Sequence, residues 1–258
     1  MVKYLYLLVS FCFILCNAAF IVAAPPQDWD MVEKKIRDES ISKKEAMAIF
    51  KSLKPKLKKY FLDQGGKEST LPVFFPVDGC DYRFTSKYDF LWSKKFDFFD
   101  KNSHSGHPAY DIFIKDKNSD GKDDNLLDFV KILSMTSGVV VSTFKDWQPD
   151  SKYRGGNCIW IYDPAREGLF YYAHLRDVPI NVGDIVSAGQ KIGTLGRTGR
   201  KAYLISSPTH LHLMFVNYSD TGNLIPQPIY KLLRNAKTKA AGTDREISPY
   251  LTNNNDKR

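Results

Sequence analysis

The chain has 258 residues, a formal net charge of +8 and 43% hydrophobic residues, enough for one moderate domain plus an appendage. Its basic residues are scattered and not interleaved with an aromatic platform, which argues against a nucleic-acid binder. The same excess of positive charge suits an anionic surface such as a cell wall or a lipid headgroup layer, or serves solubility alone.

Met1 to Ala24 carry one charge, Lys3, a long apolar run and small residues at Ala18, Ala19, Ala23 and Ala24. This is the pattern of a secretory signal peptide, 1–24. An uncleaved membrane anchor is the competing reading of so long a run. The small residues and the Pro25-Pro-Gln-Asp28 that follows favour cleavage, and bulky Leu15 before Cys16 argues against a lipoprotein. No second long apolar run follows. The processed chain is therefore expected to be exported, to the periplasm or the extracellular cell envelope, with no stable membrane partner. Losing Lys3 leaves it at +7. Cys12 and Cys16 depart with the signal, and Cys80 and Cys158 remain. One disulfide between them is open in an oxidising compartment, although cysteines on two separate strands need not meet.

The stretch 25–66 forms a lysine-rich helical segment. Apolar residues recur at helical spacing: Met31 and Ile36, then Ala46, Ile49, Phe50, Leu53, Leu57 and Phe61. Two helices joined around Asp38-Glu-Ser40 are expected, the second capped by Ser42 and ended at Gln64-Gly-Gly66. The pair either packs on the main domain as a cap, the favoured reading, or plugs its site as a propeptide.

From Leu71 the character changes to short β-branched or aromatic runs between turn residues. These are Val73 to Val77, Asp111 to Ile114, Gly138 to Ser142, Cys158 to Tyr162 and Leu169 to Tyr172, then Ile185-Val186, Lys191-Ile192 and His210 to Val216. Such a series predicts a mainly β domain over 67–225, an antiparallel sheet, barrel or sandwich. Val182 to Gly193 punctuates two small strands with Gly183-Asp184 and Gly189-Gln190, as biotin- and lipoyl-carrier domains do. Lys191 is embedded in the strand pattern and not at a hairpin tip, so the segment reads as scaffold. Beyond 225 the chain is basic and polar, with a helical patch near Ile229 to Leu233.

Three segments carry chemistry: His107-Pro-Ala-Tyr-Asp111, Tyr172-Ala-His-Leu175 and His210-Leu-His212. Four of the five histidines lie in them. Catalytic zinc commonly takes three N/O ligands and keeps a fourth position for water. In a strand, residues i and i+2 share a face, so His210 and His212 point the same way. The bland alternative is a set of unrelated surface or core residues.

In their order, and with the Gly-Asp-x-Val-x-x-Gly-Gln-x-Ile-Gly hairpin between them, these segments resemble the lysostaphin-like (LytM-type) zinc metallopeptidases of bacteria. The resemblance runs from Leu71 to Val216. It implies a β-sheet endopeptidase domain with an open groove that acts on the peptide part of peptidoglycan, with Zn2+ as cofactor. Residue by residue it implies His107, Asp111 and His212 as zinc ligands, and His174 and His210 beside the bound water. Three departures stand out. Ala109 replaces a usual glycine, Leu213-Met214 replace a usual Phe-Glu, and the region between Asp111 and Gly138 is expanded. The alternative function is a non-catalytic LytM-type regulator that activates another wall hydrolase; such relatives lose ligand residues, and this chain keeps the full set. A cytoplasmic phosphocarrier built around a histidine is disfavoured by the signal.

Two further stretches bear on the site. Asp116-Lys-Asn-Ser-Asp-Gly121 matches the first half of a calcium loop, but Leu127 stands where a bidentate carboxylate is required, so an Asx-rich turn is favoured. Gly196-Arg-Thr-Gly199 either borders the cleft or is a plain turn. His104, in Asn102-Ser-His-Ser-Gly106, has the wrong spacing for a ligand and reads as a loop residue.

Overall fold

The computed structural model describes residues 24–86, 96–100, 106, 108–151 and 153–239. The signal segment up to residue 23, His104 and His107 lie outside the described residues. Among those described, no helix is long and apolar enough to cross a membrane.

The helical periodicity becomes two helices. In α1, Pro25–Arg37, a proline in the first turn presets φ where no intrahelical amide partner is needed. In α2, Lys43–Asp63, the Ser42 side chain accepts a hydrogen bond from the Glu45 amide at 3.2 Å, as an N-cap does. Trp29, Val32 and Ile36 of α1, and Ala46, Phe50, Leu53, Leu57 and Phe61 of α2, form one buried stripe.

Nine strands follow among the described residues: β1 Tyr110–Phe113, β2 Lys131–Leu133, β3 Gly138–Phe144, β4 Asn157–Asp163 and β5 Gly168–Asp177, then β6 Ile185–Val186, β7 Lys191–Leu195, β8 His210–Tyr218 and β9 Leu224–Pro226. They pair antiparallel in the order β1-β8-β5-β4-β3-β6. Strand β9 adds to β8, β7 adds to the far end of β5, and β2 adds to β7.

Period-two alternation sends side chains to two different cores. Val139, Val141, Trp160, Tyr162, Leu169, Met214 and Val216 face the helices. Val140, Ile161, Phe170, Tyr172, Leu211 and Phe215 face the opposite layer, which includes Phe75, Val77, Ile132 and Ile192. The helices are thus a structural layer on one face of the sheet, and they share that face with the candidate site.

Some expectations change. Val73 to Val77 is not a strand. Pro72 and Pro76 remove amide donors from the stretch, and it makes only isolated bridges, Phe74 to Lys237 and Val77 to Ile132. The region after 225, expected to be a polar tail, supplies Ile229 and Leu233 to the second core through α3, Tyr230–Arg234. Cys80 and Cys158 are both buried and are not joined to each other by a disulfide. Cys80 lies in the second core, whereas Cys158 pairs in register with Ala173 on the helix side, so the sheet separates the two thiols. The 182–193 hairpin forms β6 and β7 and is scaffold.

Candidate metal centre

Strand register brings the predicted residues together. Asp111 on β1 stands directly opposite His212 on β8, and Phe113 stands opposite His210. Their side chains therefore share one face, while Leu211 between them is fully buried in the opposite core. Asp111 Oδ1 lies 3.1 Å from His212 Nδ1, and Asp111 Oδ2 lies 3.6 Å from His210 Nε2.

His174 joins them because β5 changes partners there. Gly168 to Ala173 pair with β8, whereas Leu175 and Asp177 pair with β7. At the changeover His174 adopts φ 65°, a left-handed conformation that side-chain-bearing residues seldom take and that clusters at functional sites. The kink throws the imidazole toward β8. Its ring centroid is 4.9 Å from that of His210 and 5.6 Å from that of His212.

Backbone carbonyls fix two tautomers. His174 Nδ1 lies 2.8 Å from Thr198 O, and His210 Nδ1 lies 2.7 Å from Pro208 O. A carbonyl only accepts, so each Nδ1 carries a proton, and in the neutral form of either ring Nε2 is the atom with the lone pair. Burial, reinforced by the neighbouring His210 and His212, holds the His174 pKa well below the ordinary 6.5. That imidazole is therefore neutral at neutral pH and equipped to accept a proton.

The sequence contains no sign of the second layer of contacts. Gly199 sits so close to His174 that an added Cβ would lie 2.8 Å from its Nδ1 and 2.9 Å from Arg154 O. The Gly196–Gly199 turn therefore borders the site. Arg197 donates to Leu204 O at 2.7 Å, to Ser207 O at 2.9 Å and to the Thr209 hydroxyl, tying the following loop to the start of β8. Thr209 in turn donates to Asp116 Oδ2 at 2.6 Å. Asp116 also accepts from the Gly121 and Asp120 amides, at 2.9 and 3.1 Å, while Asn118 bonds Asp120. These contacts make 116–121 an Asx-rich turn whose first carboxylate braces the β8 entry.

Among the described residues no three His, Cys, Asp or Glu side chains complete a metal-ligand set. His107, the third expected ligand, lies outside them. The two expected ligands within the described residues, Asp111 and His212, fit zinc: one carboxylate and one imidazole converge, and two further imidazoles stand beside them. The carbonyls of Thr198 and Pro208 hold the orientation of those two further imidazoles.

Part of the chain is similar to known peptidases. Residues 119–224 match the model of Peptidase family M23, a span that includes His174, His210 and His212 and begins after Asp111. Over 112 residues the chain is 32% identical to lysostaphin of Staphylococcus simulans, covering 43% of this chain and 21% of lysostaphin. It is 29% identical over 124 residues to glycyl-glycine endopeptidase ALE-1 of Staphylococcus capitis, covering 48% of this chain and 32% of that protein. The matched stretch is thus a third or less of the length of these curated relatives. A solved structure described as a lytM glycyl-glycine endopeptidase from Ruminococcus gnavus aligns with a TM-score of 0.45 at 23% identity, covering 85% of this chain and 86% of that one.

Proposed function

We propose that this chain, whose residues 119–224 match Peptidase family M23, is an exported zinc metalloendopeptidase. Its proposed reaction is hydrolysis of amide bonds in the peptide stems or crosslinks of bacterial peptidoglycan. One observation carries the reading. The Asp111 carboxylate and three imidazoles converge on one face of the sheet, two of those imidazoles with Nδ1 committed to backbone carbonyls.

His107, Asp111 and His212 would hold the zinc, and when bound it supplies a Lewis acid for the scissile carbonyl and an acidified water. The remaining work belongs to the chain. One of the two Nε2 atoms, of His174 or His210, accepts the proton released as water adds to the amide carbon. The single imidazolium so formed then passes that proton to the leaving amine, which otherwise departs as a poor anion. Asp111 lies within 3.6 Å of His210, so its negative charge steadies His210 while that ring carries a proton. Thr198 O and Pro208 O keep both rings aimed inward through the cycle.

Export rests on the signal-like first 24 residues, and the positive charge suits an anionic envelope polymer. Purified peptidoglycan incubated with the protein and zinc is expected to release muropeptides with one cut amide bond and intact glycan strands, read by mass analysis. An untouched wall, together with strong stimulation of an added partner hydrolase, would replace this reading with that of a regulator.

A further inference from the structure

Both imidazoles beside the expected metal position are aimed by one connection, residues 196–209, which joins β7 to β8. Its first turn holds His174 from two sides. The Gly196 amide donates to His174 O at 3.0 Å, and Thr198 O accepts from His174 Nδ1 at 2.8 Å. Thr198 is fixed in turn, because its hydroxyl donates to Leu175 O at 2.7 Å and accepts from the Asn157 amide at 2.9 Å. The last turn holds His210, through Pro208 O at 2.7 Å. The turns between them are local: Tyr203 N donates to Gly199 O, Leu204 N to Lys201 O and Ser207 N to Leu204 O. Bonds of that reach shape the loop without tying its last turn to its first.

Arg197 makes that tie. It sits between Gly196 and Thr198, the two residues that hold His174. Its Nη1 donates to the Thr209 hydroxyl, and its Nη2 donates to Leu204 O at 2.7 Å and Ser207 O at 2.9 Å. The fork thus grips residues on both sides of Pro208, whose carbonyl aims His210. The Thr209 hydroxyl donates onward at 2.6 Å to Asp116 Oδ2, which also lies 4.0 Å from Arg197 Nη1. The Asp120 and Gly121 amides anchor that carboxylate to its own turn. A guanidinium supplies this arrangement and an ammonium does not, since one rigid planar group reaches three acceptors through two nitrogens. The Arg197 side chain is only 11% exposed, and the fully buried Asp116 carboxylate compensates its charge. None of the three side chains lines the cleft, so the brace acts through the imidazoles.

We propose that Arg197 is a positioning residue: with Thr209 and Asp116 it sets the placement of His210 relative to His174, and so the turnover of the enzyme. The two ring centroids lie 4.9 Å apart, and both rings have to reach one water molecule. For its effect on turnover the proposal rests on the peptidase reading; for its effect on the rings it stands without it.

Arg197→Met keeps a long side chain and loses the fork, and Thr209→Val keeps the shape and loses the hydroxyl. In the full zinc-loaded protein each is expected to keep the wild-type zinc content and the wild-type KM on peptidoglycan fragments. Their kcat is expected to fall by about 10- to 100-fold, the scale on which an ångström of misplacement costs rate. Thr209→Ser keeps the hydroxyl and is expected to retain most of the turnover that Thr209→Val loses, which a purely steric role would not produce. Nitrogen NMR of the zinc-free proteins, at a pH where free imidazole is neutral, reads the same geometry without turnover. There the wild type is expected to hold His210 as the Nδ1–H tautomer. Arg197→Met is expected to mix the His210 tautomers and to leave His174, held by Gly196 and Thr198, unchanged. Unchanged kcat, zinc lost in step with kcat, or an unchanged His210 tautomer in Arg197→Met overturns the proposal. Where Arg197→Met does not fold, Thr209→Val and Thr209→Ser decide by the same readings. Wild-type protein that leaves peptidoglycan uncut overturns the peptidase reading instead, and the tautomers then decide the brace alone.

Discussion

Trp29→Ala separates a structural helical layer from a detachable plug. Trp29 is fully buried, stacks on Phe50 at 5.1 Å, and its Nε1 donates to the Tyr218 hydroxyl at 2.8 Å. Truncating a large buried aromatic costs about 3–5 kcal/mol, because transfer and cavity terms add. The orphaned Tyr218 oxygen adds about 1 kcal/mol. For a domain of this size each kcal/mol lowers Tm by about 2–4 °C, so the variant is expected to melt roughly 8–24 °C lower. Thermal unfolding by circular dichroism, run with wall hydrolysis at 25 °C, reads both quantities. Trp29→Phe keeps most of the burial and is expected to fall between the two. An unchanged Tm with a large rise in activity would show that the helices are a propeptide plug and refute the layered-core reasoning.

Other expectations follow from the imidazole geometry. His174→Ala and His210→Ala are each expected to retain zinc while turnover falls by about 10²–10⁴-fold, the usual contribution of a positioned acid–base group; metal content and kcat measured together check this, and a variant with unchanged turnover removes that residue from the mechanism. The pH dependence of stability in the zinc-free protein has a definite sign. His174 has a folded-state pKa below 6.5, so below that pH the unfolded chain binds more protons than the folded one. Stability present above pH 6.5 is therefore lost as pH falls toward the folded-state value, and His174→Ala is expected to flatten the slope of Tm between pH 7 and 5. An equal slope in both proteins would contradict a buried neutral imidazole.

Much of this was legible in the sequence because it depends on local periodicity. His-x-His parity predicts two imidazoles on one face, and β8 presents them so. Spacing and the Ser42 cap predict α1 and α2 to within a few residues. Most of the strand runs from Asp111 onward became strands. The missing parts depend on tertiary contact. Nothing local says that the helices cover the same face as the site, since an amphipathic stripe does not specify its partner. The kink at His174 arises because β5 changes neighbours, and a histidine in a left-handed conformation has no compositional signal. The carbonyls of Thr198 and Pro208 are backbone groups, invisible to any motif. Strands β2 and β9 are only three residues each, too short for an alternation pattern to stand out. A cysteine count could not reveal that Cys80 and Cys158 lie on opposite faces of one sheet.

In the proposed enzyme Asp111 and His212, aligned by the β1–β8 register, hold the zinc together with His107. Metal analysis of the purified protein beside His212→Ala tests it most directly. The account predicts one zinc for each wild-type chain, and loss of both metal and peptidase activity in a variant that still folds. One zinc per chain retained by folded His212→Ala would contradict it.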